Sequence, residues 1–254
     1  MHLLPLPAFD DNYIWTLRGD DSRALVVDPG QAGPVLAAAA DGLQPAGILL
    51  THHHGDHIDG VAELRERWPD LPVIAPEDER IPVASRRAGD GDRVQIGDWS
   101  FETMAVPGHT VSHIAFHGHG LLFCGDTLFS LGCGRMFEGT PAQMLGSLDR
   151  LAALPGDTRI CCGHEYTLSN AAFARVVEPD NLALARRIEE AQAMRQSGRP
   201  TLPSTLASEC AANPFLRVDV PEVRAAIAGH VGRAVDDRVE AFAELRRWKD
   251  GFRA

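Results

Sequence analysis

Apolar residues in the first two thirds of the chain come in short runs cut by Gly, Pro and Asp, a texture that predicts the short strands of a layered α/β or β-sandwich domain. Strands are expected at Tyr13 to Leu17 and Ala24 to Val27, on either side of the turn-rich Gly19-Asp20-Asp21-Ser22. Pro34 suits a first helical position, so a helix is expected from Pro34 to Ala40, followed by the buried strand Gly47-Ile48-Leu49-Leu50. Next come a helix at Ile58 to Trp68 and a strand at Val73 to Ala75. Two hairpins are expected, Val94 to Ile96 with Ser100 to Val106 and Ile114 to His117 with Leu121 to Cys124. A helix at Pro141 to Leu154 and a strand at Arg159 to Cys162 complete this region. Beyond Tyr166 the strand signals stop and the remainder reads as helical. There Val235, Val239, Phe242, Leu245, Trp248 and Phe252 recur at steps of three or four, the apolar stripe of an amphipathic helix packed on a partner surface.

Composition narrows the class. With 254 residues, 44% hydrophobic and 23% charged, the chain can bury a sizeable core in one or two domains. A balance of 24 basic against 35 acidic side chains, formally -11, argues against a nucleic-acid partner, which needs clustered cations. All of the basic residues are arginine except Lys249. Cys124, Cys133, Cys161, Cys162 and Cys210 are odd in number and form no CxxC pair, so a reducing compartment without a disulfide framework is expected. Asp10 and Asp11 interrupt the start of the chain before an apolar run can form, and no run approaches the ~18 residues of a membrane span. A cytoplasmic protein is expected.

Candidate chemistry concentrates in Thr51-His52-His53-His54-Gly55-Asp56-His57, directly after a buried strand and before a helix. Imidazole with carboxylate is the ligand set of zinc, iron and manganese. On extended backbone His52, His54 and Asp56 would project to one side, and a tight turn into the helix would swing His57 beside them; two divergent pairs suggest two metals. The site must be completed from other strand-end loops: Pro107-Gly108-His109, Cys124-Gly125-Asp126-Thr127 and Cys162-Gly163-His164-Glu165. His53 would face away in a structural role, and His2, His113, His117, His119 and His230 read as surface or satisfied core residues. Asp28 is either an acceptor for a ligand histidine or a turn residue before Pro29. Asp59 reads as a first-turn charge.

At these residues the sequence resembles the metallo-β-lactamase fold superfamily, whose HxHxDH signature is His52-His53-His54-Gly55-Asp56-His57. More narrowly it is similar to the glyoxalase II family, the hydroxyacylglutathione hydrolases. That resemblance extends over Asp11-Asn12-Tyr13-Ile14-Trp15, Cys124 to Phe129, Gly134 to Thr140, Cys162 to Tyr166, Glu178-Pro179-Asp180-Asn181 and Arg246-Arg247-Trp248-Lys249-Asp250. It implies a four-layer αββα sandwich over residues 1–167, followed by a smaller all-helical C-terminal domain over 168–254 that binds substrate. It further implies one metal on His52, His54 and His109, a second on Asp56, His57 and His164, and Asp126 as the bridge. Asp56 and Asp126 are the carboxylates expected to take part in catalysis. Zinc is the first expectation for the two divalent ions, with iron or manganese accepted by the same donors. The glutathione moiety would be held at Arg135, Phe137, Tyr166, Arg246 and Lys249. Arg135 stands where some members have Lys, and Phe137 where those members have Tyr; without a hydroxyl, packing is the expected role of Phe137.

The activity implied is hydrolysis of S-D-lactoylglutathione to D-lactate and glutathione by a metal-bridged hydroxide, the second step of methylglyoxal detoxification. A thiolate, ionising near ~8.5 as the free thiol, leaves without a dedicated general acid. Three alternatives stand beside it: glutathione-persulfide oxygenation at a mononuclear iron, another metallo-β-lactamase-fold hydrolase acting on β-lactams or acyl-homoserine lactones, and an RNA phosphodiesterase. A monomer is expected, with no nucleic-acid or membrane partner.

Overall fold

The computed structural model describes residues 1–253, which divide into two compact units. The first comprises Met1–Ala105, Ser112–Gly125 and Cys161–Glu165. Its first sheet runs in sequence order through β1 (His2–Ala8), β2 (Asn12–Arg18), β3 (Arg23–Val27), β4 (Gln44–Leu49), β5 (Val73–Pro76) and β6 (Arg86–Ala88). The first three strands are antiparallel and β3 to β6 parallel. Parallel neighbours need crossovers, and these carry α1 (Ala32–Ala40), α2 (Gly55–Ile58) and α3 (Val61–Arg67). Val26, Ile48 and Val73 on the sheet, and Leu50 just past β4, pack with Val35 of α1 and Val61 and Leu64 of α3 in one buried cluster.

The second sheet is an antiparallel meander, β7 (Arg93–Ile96), β8 (Trp99–Ala105), β9 (Ile114–Gly118) and β10 (Leu121–Gly125), with the end of β13 (Arg159–Cys162) beside β10. The two sheets meet closely within this unit. A Cβ on Gly47 of β4 would lie 2.6 Å from Cδ1 of Ile96 on β7, and the Trp15 indole N–H donates to the Cys162 carbonyl at 2.9 Å.

The second unit holds Val106–Val111, Asp126–Ile160 and the chain from Tyr166 onward. It contains the small hairpin β11 (Leu128–Phe129) and β12 (Gly132–Cys133), α4 (Pro141–Ala152), α5 (Thr167–Val177), α6 (Leu182–Gln196), β14 (Ser204–Thr205), α7 (Leu206–Ala212), α8 (Pro221–Val231) and α9 (Arg238–Gly251). The α4 boundary is set locally: Thr140 and Gln143 form a reciprocal capping box and Pro141 takes the first helical position. Leu131, Ala171, Ala174, Leu184, Ile188 and Ala212 form its buried centre around α5, α6 and α7. All five cysteines are thiols. Among the described residues no helix is long and apolar enough to cross a membrane.

Three local expectations need correction, and one strand was not expected at all. Strand β1 gives no strand signal because Pro5 and Pro7 interrupt it; as an edge strand it pairs only with β2, and prolines are tolerated there. The helix expected from Ile58 to Trp68 is broken at Asp59-Gly60. A Cβ on Gly60 would stand 2.6 Å from the main-chain nitrogen of Ala32, so this turn is pressed against the start of α1. That helix begins at Ala32, two residues before Pro34. The helical tail is not free of strand, because Ser204 and Thr205 pair with Ile160 and Arg159.

Candidate metal centre

The site in the first unit grows from the C-terminal ends of β3 and β4, which run parallel and side by side. Asp28 follows β3 in a left-handed conformation (φ 52°) that Asp tolerates better than most residues. Its Oδ1 accepts the Thr51 N–H at 2.8 Å, and Oδ2 accepts from the Thr51 hydroxyl at 2.7 Å and from His57 Nδ1 at 3.0 Å. Having spent its hydroxyl proton on Asp28, Thr51 receives His52 Nδ1 at 3.0 Å. Asp28 is therefore both the turn residue and the acceptor, and it orients two histidines.

His54 leaves extended backbone just ahead of α2, and its Nδ1 comes within 3.1 Å of His52 Nε2. Asp56 does not continue that alternation. Helix α2 begins at Gly55, so Asp56 and His57 sit on its first turn. Asp56 Oδ2 lies 3.4 Å from both His57 Nε2 and His164 Nε2, and the three ligand atoms are mutually within 4.8 Å. His164, just past β13, gives Nδ1–H to Asp11 Oδ1 at 2.7 Å. Asn12 donates from Nδ2 to Asp56 Oδ2 at 2.9 Å. Burial would raise the Asp56 pKa, but hydrogen bonds from His164, His57 and Asn12 outweigh it and hold the carboxyl well below the usual range. Asp11 and Asn12 are contributors that periodicity could not reveal, since they act across the sheet end on residues 153 and 44 positions away.

In the second unit His109 and Asp126 form a matching pair, Nε2 to Oδ2 at 3.5 Å. His109 Nδ1 donates to the Arg135 carbonyl at 2.7 Å. His52, His57, His109 and His164 thus each have Nδ1 tied to an oxygen, leaving Nε2 as the lone-pair donor. Metal-ligating histidines are oriented in this way, and imidazole nitrogens beside carboxylate oxygens are the donors a borderline divalent ion takes. The residues present therefore fit a divalent metal.

Four of the remaining histidines have partners outside this cluster. His113 is a buried core residue, stacked on His52 at 4.6 Å with Nδ1 on the Ile114 carbonyl. His53 lies 3.6 Å from Asp78, His119 accepts the Ser100 N–H, and His230 stacks on Trp248 at 4.1 Å. Phe137 departs from expectation. It is 62% exposed rather than packed away, with its ring edge-on to His109 at 5.3 Å. Tyr166 caps α5 and its ring meets Phe129 edge-on at 5.2 Å.

The family described as "Metallo-beta-lactamase superfamily" matches residues 9–164, and "Hydroxyacylglutathione hydrolase C-terminus" matches residues 165–252. The chain is 64% identical, over its whole length and that of the relative, to a hydroxyacylglutathione hydrolase of Xanthomonas axonopodis pv. citri (strain 306). It belongs to the hydroxyacylglutathione hydrolase family. Among solved structures, ETHE1 from Myxococcus xanthus shares the fold with a TM-score of 0.66 at 24% identity, over 99% of this chain and 91% of that one. TTHA1623, described in a di-iron-bound form, is 29% identical with a TM-score of 0.54, over 65% of this chain and 92% of that one. The metallo-β-lactamase architecture expected from HxHxDH is thereby borne out.

The C-terminal family match includes two of the cations expected to hold substrate, Arg246 and Lys249, and here the structure adds detail. Arg246, on α9, is 94% buried (6% exposed) and lies over the Phe215 ring. Its Nη1 donates to the Cys133 carbonyl at 2.9 Å and its Nη2 to Asp250 Oδ1 at 2.9 Å. Lys249 Nζ reaches the Ser169 carbonyl at 3.4 Å and the Phe173 ring. Burial, and the charge of Arg246, lower its pKa. Arg246 is thus a built-in structural cation as well as a candidate ligand for an anion.

Proposed function

We propose that this chain hydrolyses hydroxyacylglutathione thioesters, S-D-lactoylglutathione giving D-lactate and glutathione, as the second step of methylglyoxal detoxification. The observation that carries this reading is the full-length identity to a hydroxyacylglutathione hydrolase, spanning both the histidine-rich unit and the C-terminal cations. Two divalent ions, zinc first with iron or manganese as substitutes, would be held by His52, His54 and His109, and by Asp56, His57 and His164, with Asp126 between them. The di-iron form described for TTHA1623 supports a count of two. When bound, such ions supply Lewis acidity toward a thioester carbonyl and lower the pKa of water held beside them.

The chain's own residues do the rest. Asp28, Asp11 and Thr51 fix the ring orientation of His57, His164 and His52, so the donors are set before an ion arrives. Asp56, kept ionised, and Asp126 offset part of the cationic charge. Tyr166, Phe137, Arg135, Arg246 and Lys249 would bind the glutathione moiety, whose carboxylates call for cations in a protein of net charge -11. The thiolate product leaves without a general acid, its pKa being near ~8.5 when free. The full-length relatives and the C-terminal match favour this hydrolysis over persulfide oxygenation or β-lactam cleavage. We further propose a cytoplasmic monomer.

The test is thioester hydrolysis, followed by thiol release, on protein whose metals have been counted. Chelation should abolish the activity, and readdition of zinc should restore it at two ions per chain. Thioester cleavage by metal-free protein, or oxygen uptake with one iron per chain, would overturn the reading.

A further inference from the structure

Asp250 occupies a position that helix physics does not explain. It lies in the last turn of α9, where the macrodipole disfavours an anion, and it follows Arg246 by four residues, the less favourable order for an ion pair within a helix. What holds it there is a second cation from elsewhere in the chain. Asp250 Oδ1 accepts from Arg246 Nη2 at 2.9 Å and stands 3.3 Å from Arg135 Nε. One carboxylate oxygen therefore sits between two of the residues assigned above to the glutathione moiety.

The burial of the three groups shows how a ligand would reach them. Arg246 is 7% exposed in its side chain, with Nη1 turned to buried Cys133 and Nε enclosed without a hydrogen-bond partner. Arg135 is 58% exposed and Asp250 35%. With Nη1 taken by Cys133 and Nε enclosed, Nη2 is the nitrogen left for a ligand, and Asp250 already uses it. An anionic ligand that engages Arg246 must share that nitrogen with Asp250 or displace it.

We propose that Asp250 is a positioning and specificity residue: an internal counter-ion that holds Arg135 and Arg246 when no ligand is bound and competes with a carboxylate of the glutathione moiety for them. This deepens, and rests on, the glutathione reading given above. Such a residue trades affinity for orientation. It pre-orients the two guanidinium groups and gives them up without leaving a buried cation unpaired, so the thiol product is not retained.

The experiment uses the metal-loaded full chain and S-hexylglutathione, a thioether that cannot be hydrolysed, as the probe. Asp250→Asn keeps the shape and removes the charge. It should bind the probe about threefold more tightly, the scale of a partly exposed ion pair, with a steeper dependence on salt. KM for the thioester should fall in step and kcat should not rise, while inhibition by glutathione strengthens. Asp250→Glu restores the charge and should return the affinity toward the parent value. Unchanged or weaker binding in Asp250→Asn, with Arg135→Ala weakening it, would overturn the counter-ion role and leave the glutathione reading standing. Equal tightening in the Asn and Glu variants would overturn it as well, because charge would not be the cause. If neither Asp250→Asn nor Arg135→Ala alters affinity, the glutathione reading fails at this surface and the proposal with it.

Discussion

Asp28 Oδ2 receives His57 Nδ1 at 3.0 Å, and the same oxygen takes the hydroxyl of Thr51, which in turn accepts from His52. One buried carboxylate thus sets the tautomer of two ring systems assigned to different metals. Asn tolerates the left-handed backbone at position 28, so Asp28→Asn removes the charge with little backbone cost. Metal affinity should fall about 10- to 100-fold, read as metal retained after dialysis against a graded chelator. Full retention would show that Asp28 is a turn residue alone.

The two proposed ligand sets make a stoichiometric prediction. His164→Ala removes a donor from the cluster with Asp56 and His57 and should leave about one ion per chain, with kcat/KM reduced more than about 100-fold. Metal analysis by mass spectrometry alongside the thioester assay checks both numbers. Two ions retained with full activity would remove His164 from the site.

Two glycines give a packing prediction. An added Cβ at Gly30 would overlap the carbonyl of Asp56, and one at Gly134 the carbonyl of Asp126. Gly30→Ala and Gly134→Ala should each cost about 1–3 kcal/mol through overpacking and lower the metal content by shifting a carboxylate. Gly146 lies inside α4 with no atom within 4 Å of a Cβ, so Gly146→Ala should instead stabilise by up to about 1 kcal/mol. Thermal melts of the three variants separate the cases.

Cys133 carries a pH prediction. Burial pushes its thiol up from 9.0 to about 11, against the opposing charge of Arg246. Below pH 9 the thiol is neutral in both states. As pH rises from there toward 11 the unfolded chain releases the proton and the folded chain keeps it. Stability present below pH 9 is therefore lost as pH rises through the folded value, by about 3 kcal/mol in all. Denaturant unfolding between pH 8 and 10.5 should show this decline, and Cys133→Ala should flatten it.

Much of this protein was legible one residue at a time. The strands β2, β3, β8, β9 and β10 follow from apolar runs between turn residues, and α4 was expected at Pro141 to Leu154. His52, His54, Asp56 and His57 were legible because four metal-type side chains crowd a strand end, where core packing demands none. Phe137 and Arg246 were legible as positions but not as environments: exposure of one ring and burial of the other's guanidinium depend on which surfaces come to cover them.

Tertiary structure decided the rest, for a common physical reason. Hydrogen bonds between residues far apart in sequence leave no periodic trace. Asp11 on His164, Asn12 on Asp56, and Arg135 on Asp250 across 115 residues exist only once the strand ends and helices are in place. The chain by itself specified the donors, through residue type and spacing. Folding specified which nitrogen of each ring faces the site and which carboxylate stands between two arginines, because direction and burial are properties of packed elements rather than of the residues alone.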